Sequence, residues 1–297
     1  MNANGTSPSG SVPPEFDFKL YRYTPSLAGA IVAAVIFGIL TITHVWRMAR
    51  TKSFYFTPFL IGGIFQTVGY CGRIWSHFDK ESIGGFVMQA ILILVAPALY
   101  AASIYMILGR LILAVDAEKH SLIPVKWLTK AFVTGDIISF TLQAAGGGVQ
   151  AAGTLEMYNI GEKMIIGGLW VQIVVFGFFV SVSALFNTRL ARCRTVAAER
   201  RVIPWKRHLL ILYLTSGLIL VRSIFRVIEY LQGNGGYLIS HEIFLYMFDA
   251  LLMVLVMALF AVWYVGDLAP SAAYDKQDSI ISGSADGMLD ATRLQHL

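Results

Sequence analysis

Ionisable and amide side chains lie inside apolar stretches of this sequence, at spacings that place them on one face of a helix. Stretch by stretch, the residues are Gln66, Gly69, Tyr70 and Arg73; Asp136, Ser139 and Gln143; Arg222, Arg226 and Glu229; and Glu242, Tyr246 and Asp249, preceded by His241. A charge near the centre of a bilayer costs about 3 kcal/mol, so such groups usually face the interior of a helix bundle and pair there. The pattern therefore predicts four helices that share a polar interior.

Three arginines and three carboxylates are predicted at similar depths, in the outer half of the bundle. They are Arg73, Arg222, Arg226, Glu229, Glu242 and Asp249. In one interpretation their ion pairs only hold the helices together. In the other they line a cavity that receives the polar headgroup of an amphiphile, with apolar walls around its tail. Six buried charges are expensive to desolvate, which favours the cavity.

The spacing also leads to specific pairing predictions. We expect Arg226 to pair with Glu242 or Asp249, and Glu229 to pair with Arg73. Asp136 is predicted to lie apart from these charges, in the inner half of its helix.

A run of three glycines, Gly146, Gly147 and Gly148, follows the polar residues of the fourth stretch. Such a run permits a locally unwound backbone beside a ligand, which mildly favours the cavity. Close helix packing is the alternative, because small residues serve that purpose as well.

The elements that carry these residues are seven apolar stretches of 21 to 25 residues. Each is long enough to cross a bilayer core, which takes roughly 20 helical residues. The stretches are 25–45, 57–77, 84–108, 130–151, 164–186, 208–230 and 243–266. Only 14% of the chain is charged, against about 25% in soluble domains. The predicted fold class is all-α: a polytopic membrane protein with a seven-transmembrane helix bundle.

The distribution of Lys and Arg predicts the orientation. The three odd-numbered loops contain thirteen of these residues and the even-numbered loops contain two, Lys80 and Lys163. Positively charged loops stay in the cytosol, so the N-terminus is predicted outside and the C-terminus inside. The basic pI near 9.2 is explained by these loops, and no nucleic-acid partner is expected.

Two polar tails flank the predicted bundle of residues 25–266. Residues 1–24 are rich in Pro, Gly and Ser and are predicted to be a disordered extracellular tail. They contain the candidate glycosylation site Asn4, in the sequon Asn4-Gly5-Thr6. Residues 267–297 are predicted to be a disordered cytosolic tail.

Several functions are disfavoured by missing motifs. The sequence has no phosphate-binding loop for nucleotide-driven transport and no G-x-S-x-G nucleophile turn. The last span has no Lys for a retinal Schiff base, and His241 lacks the second His expected of a seven-helix zinc hydrolase. We therefore expect a protein that is not an enzyme and uses no cofactor.

The order of these motifs is similar to that of a known family. The matching residues include Tyr23-x-Pro25, Gly69-Tyr70-x-x-Arg73, Asp136-x-x-Ser139, Gln143-Ala144-Ala145-Gly146-Gly147-Gly148, Gly168-Leu169-x-x-Gln172, Arg222-x-x-x-Arg226-x-x-Glu229 and His241-Glu242. Over roughly residues 20–265 the chain resembles the fungal RTA-type family, seven-span proteins of aminocholesterol resistance and lipid-translocating export. The resemblance adds Gln172 to the candidate cavity residues.

The resemblance implies movement or sensing of amphiphiles at the fungal plasma membrane: sphingoid long-chain bases, sterol-like toxicants and, in one branch, porphyrins. Glu229, Glu242 and Asp249 would then receive the amine of a sphingoid base. A seven-span lipid receptor that binds without transporting is the alternative, and no sequence feature separates the two.

The sequence departs from the family pattern at two places. Gln66 stands where the family usually has Glu, four residues after Gly62, which removes one negative charge from the predicted cavity. Tyr264-Val265-Gly266 replaces a His-Pro-Gly sequence after the last span.

Overall fold

The computed structural model describes residues 25–79, 82–150, 155–192, 204–232 and 236–264. Within these ranges the chain forms seven long helices and no strand. The helices are α1 (Leu27–Thr51), α2 (Thr57–Phe78), α3 (Ile83–Ala114), α4 (Val125–Gln150), α5 (Leu155–Arg192), α6 (Trp205–Leu231) and α7 (Glu242–Val262). Each of the seven predicted spans coincides with one of them, so the all-α fold class is confirmed.

Local sequence signals explain where several helices begin. The Ser26 hydroxyl accepts a hydrogen bond from the backbone N–H of Gly29, and the Ser82 hydroxyl accepts one from Gly85. Each serine thereby satisfies one of the donors that the first helical turn leaves without an intrahelical partner. Pro58 lies at the start of α2, where its missing N–H costs nothing.

Five of the seven helices are long and apolar enough to cross a membrane; α2 and α4 do not meet that criterion. Polar and small residues on the buried faces of these two helices lower their mean hydropathy. Their outward faces remain apolar, with Ile61, Val68 and Trp75 exposed on α2, and Ile137 and Ile138 on α4. The chain is thus a multi-pass helical membrane protein. That all seven helices cross, with the N-terminus outside, stays a prediction.

Each helix packs against the next along the chain, and α7 returns to pack against α1. Helix α3 also contacts α6, which places it near the centre of the bundle. Residues Tyr246–Ala250 form a short π-helical segment inside α7. π-helical turns inside α-helices are frequent at functional sites, and this one carries two of the predicted site residues, Tyr246 and Asp249.

Aromatic packing closes the end of the bundle at which α1 ends and α2 begins. Phe56 stacks on Phe59 with ring centroids 4.4 Å apart, and Tyr264 packs edge-on against Phe56 at 5.7 Å. The hydroxyls of Ser53 and Tyr264 share a hydrogen bond of 2.6 Å. Tyr264, one of the departures from the family pattern, therefore joins the end of α7 to the turn between α1 and α2.

Candidate functional site

The first ion pair of the bundle joins α2 to α7. Arg73, which is fully buried, donates from Nη2 to Glu242 Oε1 at 2.6 Å and from Nε to the same oxygen at 3.2 Å. Nε also lies 3.2 Å from the hydroxyl of Tyr246. A charge-assisted bond of this length is among the stronger hydrogen bonds in proteins.

Glu242 extends this pair to the start of α1. Its two carboxylate oxygens accept hydrogen bonds from the backbone N–H of Ser26 at 2.8 and 3.0 Å. Nearby, the Tyr246 ring lies against α1, where a Cβ added at Gly29 would come within 2.7 Å of Tyr246 Cζ. One carboxylate thus ties α1, α2 and α7 together.

The second ion pair joins α6 to α7. Arg222 Nε donates to Asp249 Oδ1, and both side chains are almost completely buried. Arg222 Nη2 donates to the carbonyl of Ile93 on α3 at 3.1 Å. Helices α3, α6 and α7 therefore meet around one guanidinium.

The third ion pair lies within α6, where Arg226 Nη1 donates to Glu229 Oε2 at 2.7 Å. The predicted pairing of Arg226 with α7, and of Glu229 with Arg73, is therefore wrong. Side chains three residues apart on a helix are neighbours, so Arg226 and Glu229 pair locally, and the two carboxylates of α7 pair with Arg73 and Arg222. The broader prediction, that three arginines and three carboxylates neutralise one another, is confirmed.

Buried polar atoms of amide, hydroxyl and carboxylate groups on α2 and α7 have no hydrogen-bond partner among the residues that the structure describes. They are both polar atoms of the Gln66 amide, the Tyr70 hydroxyl and Asp249 Oδ2. Tyr70 interacts electrostatically with Asp249, Arg73 and Arg222, which places it among both pairs. We call Gln66, Tyr70, Arg73, Arg222, Glu242, Tyr246 and Asp249 the polar centre.

Stacked aromatic rings form one side of the polar centre. Phe37 of α1 stacks on Tyr70 with ring centroids 5.4 Å apart and an interplanar angle of 9°. Tyr70 stacks on Tyr246 at 6.3 Å, and the Arg73 guanidinium lies over the Tyr246 ring at 5.5 Å. The centre thus combines charged groups, free hydrogen-bonding atoms and flat apolar faces, which suit a molecule with a polar end and an apolar body.

The polar residues of α4 do not join this centre. Ser139 donates to the carbonyl of Gly168 on α5 at 2.6 Å, and Gln143 Nε2 donates to Ser139 Oγ at 2.8 Å and to Gln172 Oε1 at 3.3 Å. These bonds fix α4 against α5. The prediction that all four polar stripes share one interior is therefore wrong for α4, and Gln143 and Gln172 form part of a helix–helix contact.

The glycine run belongs to the same α4–α5 contact. Helix α4 is continuous to Gln150, so the predicted unwinding is absent from this described part of the chain. A Cβ on Gly146 would lie 2.7 Å from the carbonyl oxygen of Gly161, whereas Gly147 and Gly148 have nothing within 4 Å. Gly146 therefore serves close helix packing, which was the alternative interpretation, whereas Gly147 faces outward.

Asp136 lies apart from the other charges, as predicted. It is buried, and its Oδ2 accepts a hydrogen bond of 2.9 Å from the hydroxyl of Tyr105 on α3. Its Oδ1 has no hydrogen-bond partner among the described residues. Tyr105 is not among the predicted cavity residues, because it lies in an apolar helix with no polar stripe.

His241 lies outside the polar centre. It is exposed just before α7, its Nδ1 is 2.9 Å from the carbonyl of Tyr237, and its ring packs against Tyr237 at 4.1 Å. The inclusion of His241 in the cavity is therefore wrong. His241 was included because it precedes Glu242 at the start of the predicted span, but the helix breaks at His241 and α7 begins at Glu242. The glycosylation candidate Asn4 lies outside the described residues.

The fold and the polar centre define a class: multi-pass helical membrane proteins with a charged, incompletely satisfied interior. The family can be stated as well. Residues 59–272 match the model of the family described as RTA1 like protein, and the chain belongs to that family. No solved structure matches the chain.

Three relatives from Saccharomyces cerevisiae illustrate the range of the family. The chain is 39% identical to protoporphyrin uptake protein 1, over 82% of this chain and 91% of that protein. It is 36% identical to protein RTM1, over 83% and 91% of the two chains. It is 26% identical to the sphingoid long-chain base transporter RSB1, over 82% of this chain and 72% of that protein.

Proposed function

We propose that this protein translocates amphiphilic molecules across the plasma membrane of a fungal cell without enzymatic chemistry. The substrate classes that we propose are sphingoid long-chain bases and sterol-like toxicants, and their removal from the inner leaflet would give resistance. The proposal treats all seven helices as spanning and the polar centre as the position that the headgroup occupies in transit.

The observation that carries the proposal is that Gln66, Tyr70 and Asp249 have buried polar atoms with no hydrogen-bond partner among the described residues. A buried polar group without a partner costs about 1–3 kcal/mol. Ion pairs that only join helices gain nothing from such groups, and an apolar residue at position 66 would remove the cost. A substrate headgroup that forms these hydrogen bonds in passing accounts for their presence.

The chemistry of the free atoms suits an ammonium headgroup with adjacent hydroxyls. Asp249 Oδ2 and the Gln66 carbonyl oxygen can accept hydrogen bonds from an amine, and Gln66 Nε2 and the Tyr70 hydroxyl can donate to a hydroxyl group. The stacked rings of Phe37, Tyr70 and Tyr246 offer an apolar surface to the adjoining chain.

The names of the relatives support the same class of function. One relative is named as a sphingoid long-chain base transporter and another as a protoporphyrin uptake protein. Both names describe movement of a largely apolar molecule that carries a few charged groups.

The test is transbilayer movement of a fluorescent long-chain base by the purified protein in sealed vesicles. A membrane-impermeant quencher added outside reports how much label remains in the outer leaflet. We expect exchange between leaflets to be at least tenfold faster than in protein-free vesicles. A lipid receptor would bind the label and leave exchange at the protein-free rate, and that result would refute the proposal.

A further inference from the structure

Asp136 and Tyr105 form a buried acid–hydroxyl pair that lies away from the polar centre. On α3, Tyr105 is twelve residues beyond Ile93, whose carbonyl binds Arg222. At about 1.5 Å per residue the two positions are about 18 Å apart along the helix. A function of Asp136 is therefore separate from the binding of a headgroup.

Among the described residues, the neighbours of Asp136 offer it no counter-charge. Tyr105 is the titratable group that faces it from α3, with an aromatic ring that packs against Phe132, Phe176 and Phe179 at centroid distances of 5.3, 6.0 and 4.5 Å. The stretch of α5 that faces this part of α4, residues 168–179, contains no charged residue.

On α4 itself, Lys130 is six residues away and exposed. Arg73, Arg222 and Arg226 pair with Glu242, Asp249 and Glu229, and none of them forms an ion pair with Asp136. Among the described residues, the Tyr105 hydroxyl is therefore the polar group that stabilises this carboxyl.

An ionised carboxylate in these surroundings would carry a full charge in a low-dielectric interior with one hydrogen bond and no cation. Buried charges that persist in proteins are paired, and unpaired ones usually neutralise by proton binding. The geometry leaves room for the proton. Tyr105 occupies Oδ2, so a proton can bind Oδ1 without breaking that hydrogen bond.

We propose that Asp136 is a proton-binding site that couples transport to the proton gradient. In each cycle the Asp136 carboxylate takes up one proton at Oδ1 from one side of the membrane and releases it to the other. The carboxylate gains its charge again on release, so no other reactant is consumed. This coupling rests on the proposed transport function, whereas the proton-binding site itself does not.

Infrared absorption tests the proton-binding site without any transport. The purified protein is titrated with acid and base, and the C=O stretching band of a protonated carboxyl is followed. We expect a pH-dependent band that is lost in Asp136→Asn and retained in Glu156→Gln, a matched change at an exposed carboxyl.

Tyr105→Phe provides an independent assignment. It removes the hydroxyl that donates to Oδ2, so the same band should change frequency. Absence of a protonated-carboxyl band at every pH at which the protein stays folded overturns the proposal, as does a band unaffected by both Asp136→Asn and Tyr105→Phe.

Gradient-driven transport tests the coupling. The probe is a long-chain base with a trimethylated, permanently charged nitrogen, so that the pH gradient cannot trap it by protonation. The membrane potential is held at zero with valinomycin and equal potassium. If one proton moves for each probe molecule, a pH difference of one unit across the membrane corresponds to about tenfold accumulation of the probe. We expect accumulation approaching that value in the wild type, with a sign that reverses with the gradient.

Asp136→Asn is expected to exchange the probe between leaflets without accumulating it. If the wild type exchanges the probe between leaflets but does not accumulate it under a pH gradient of either sign, the coupling proposal fails and the transport function stands. If the wild type exchanges no probe, the proposed function fails, and the infrared titration still decides whether Asp136 binds a proton.

Discussion

Asp249 and Asp136 are both buried carboxylates in this bundle, and their surroundings are opposite. Asp249 accepts from Arg222, which is itself anchored on the Ile93 carbonyl. Asp136 accepts one hydrogen bond from a neutral hydroxyl and has no cation among the described residues. Among the described residues, each acid has one oxygen without a hydrogen-bond partner, but only Asp249 forms an ion pair with an arginine.

The difference separates two uses of a buried acid. A carboxylate paired with a guanidinium keeps its charge and can position a third group, which suits a headgroup site. A carboxyl without a cation is more stable when neutral and can alternate between two charge states, which suits a proton site. The following changes test that division, from the largest expected effect to the smallest.

Arg222→Met should cause the largest loss. It removes the cation between α6 and α7 and leaves the Asp249 carboxyl buried without its partner, which costs about 3–5 kcal/mol of the free energy of unfolding. We expect little folded protein by size-exclusion chromatography in detergent. Arg192→Ala, at an exposed arginine, is the control and should fold normally.

The double variant Arg222→Met with Asp249→Leu should recover much of the lost folding, because replacing both members of a buried ion pair with apolar residues is often neutral. The recovered protein should not move the fluorescent long-chain base. A double variant that transports at the wild-type rate would show that this ion pair serves only to join helices.

The matched changes Asp249→Asn and Asp136→Asn should have unequal effects on stability. At position 249 the change removes the charge that Arg222 faces, so we expect a loss of about 2 kcal/mol, comparable to a hydrogen bond to a charged group. At position 136 the amide resembles the protonated acid, and the change in stability should be close to zero. Thermal unfolding in the same detergent measures both variants. Equal losses would contradict the distinction between the two acids.

Close packing between α4 and α5 positions the Asp136 region. Its contribution to the free energy of unfolding should be smaller than that of the ion pairs. A Cβ on Gly161 would lie 2.5 Å from the carbonyl oxygen of Gly146. Overpacking costs about 1–3 kcal/mol, and the higher helix propensity of Ala returns up to about 1 kcal/mol.

Gly161→Ala should therefore lower stability by about 1 kcal/mol. Gly147→Ala, where the added Cβ meets open space, should be neutral or stabilising. Thermal unfolding of the two variants measures the difference, and a stable Gly161→Ala variant would show that α4 and α5 can separate without cost.

The sequence predicted the helices well because apolar length is a direct requirement of the bilayer. It underestimated the length of some helices. The fifth stretch was predicted as 164–186, whereas α5 runs from Leu155 to Arg192. Hydropathy marks the apolar part of a helix, but helical hydrogen bonding continues through charged turns such as that of Glu162 and Lys163.

The charged residues were predictable as a group, and their partners were not. Periodicity places Arg226 and Glu229 on one face of α6, but it does not determine how that face is rotated against α2 and α7. The Ser26 backbone N–H and the Ile93 carbonyl were missed because a main-chain group carries no sequence signal. Gln66 departs from the family pattern, and the structure adds that its amide is buried without a hydrogen-bond partner among the described residues.

The most direct test of the central claim compares Met substitutions at two buried glutamines in the labelled-lipid vesicle assay. Gln66 has no hydrogen-bond partner among the described residues, whereas Gln172 accepts from Gln143. If the Gln66 amide serves the substrate, Gln66→Met should raise thermal stability and slow movement of the long-chain base at least tenfold. Gln172→Met should lower thermal stability and leave the rate per folded protein unchanged. Wild-type movement in Gln66→Met would contradict a headgroup site at the polar centre.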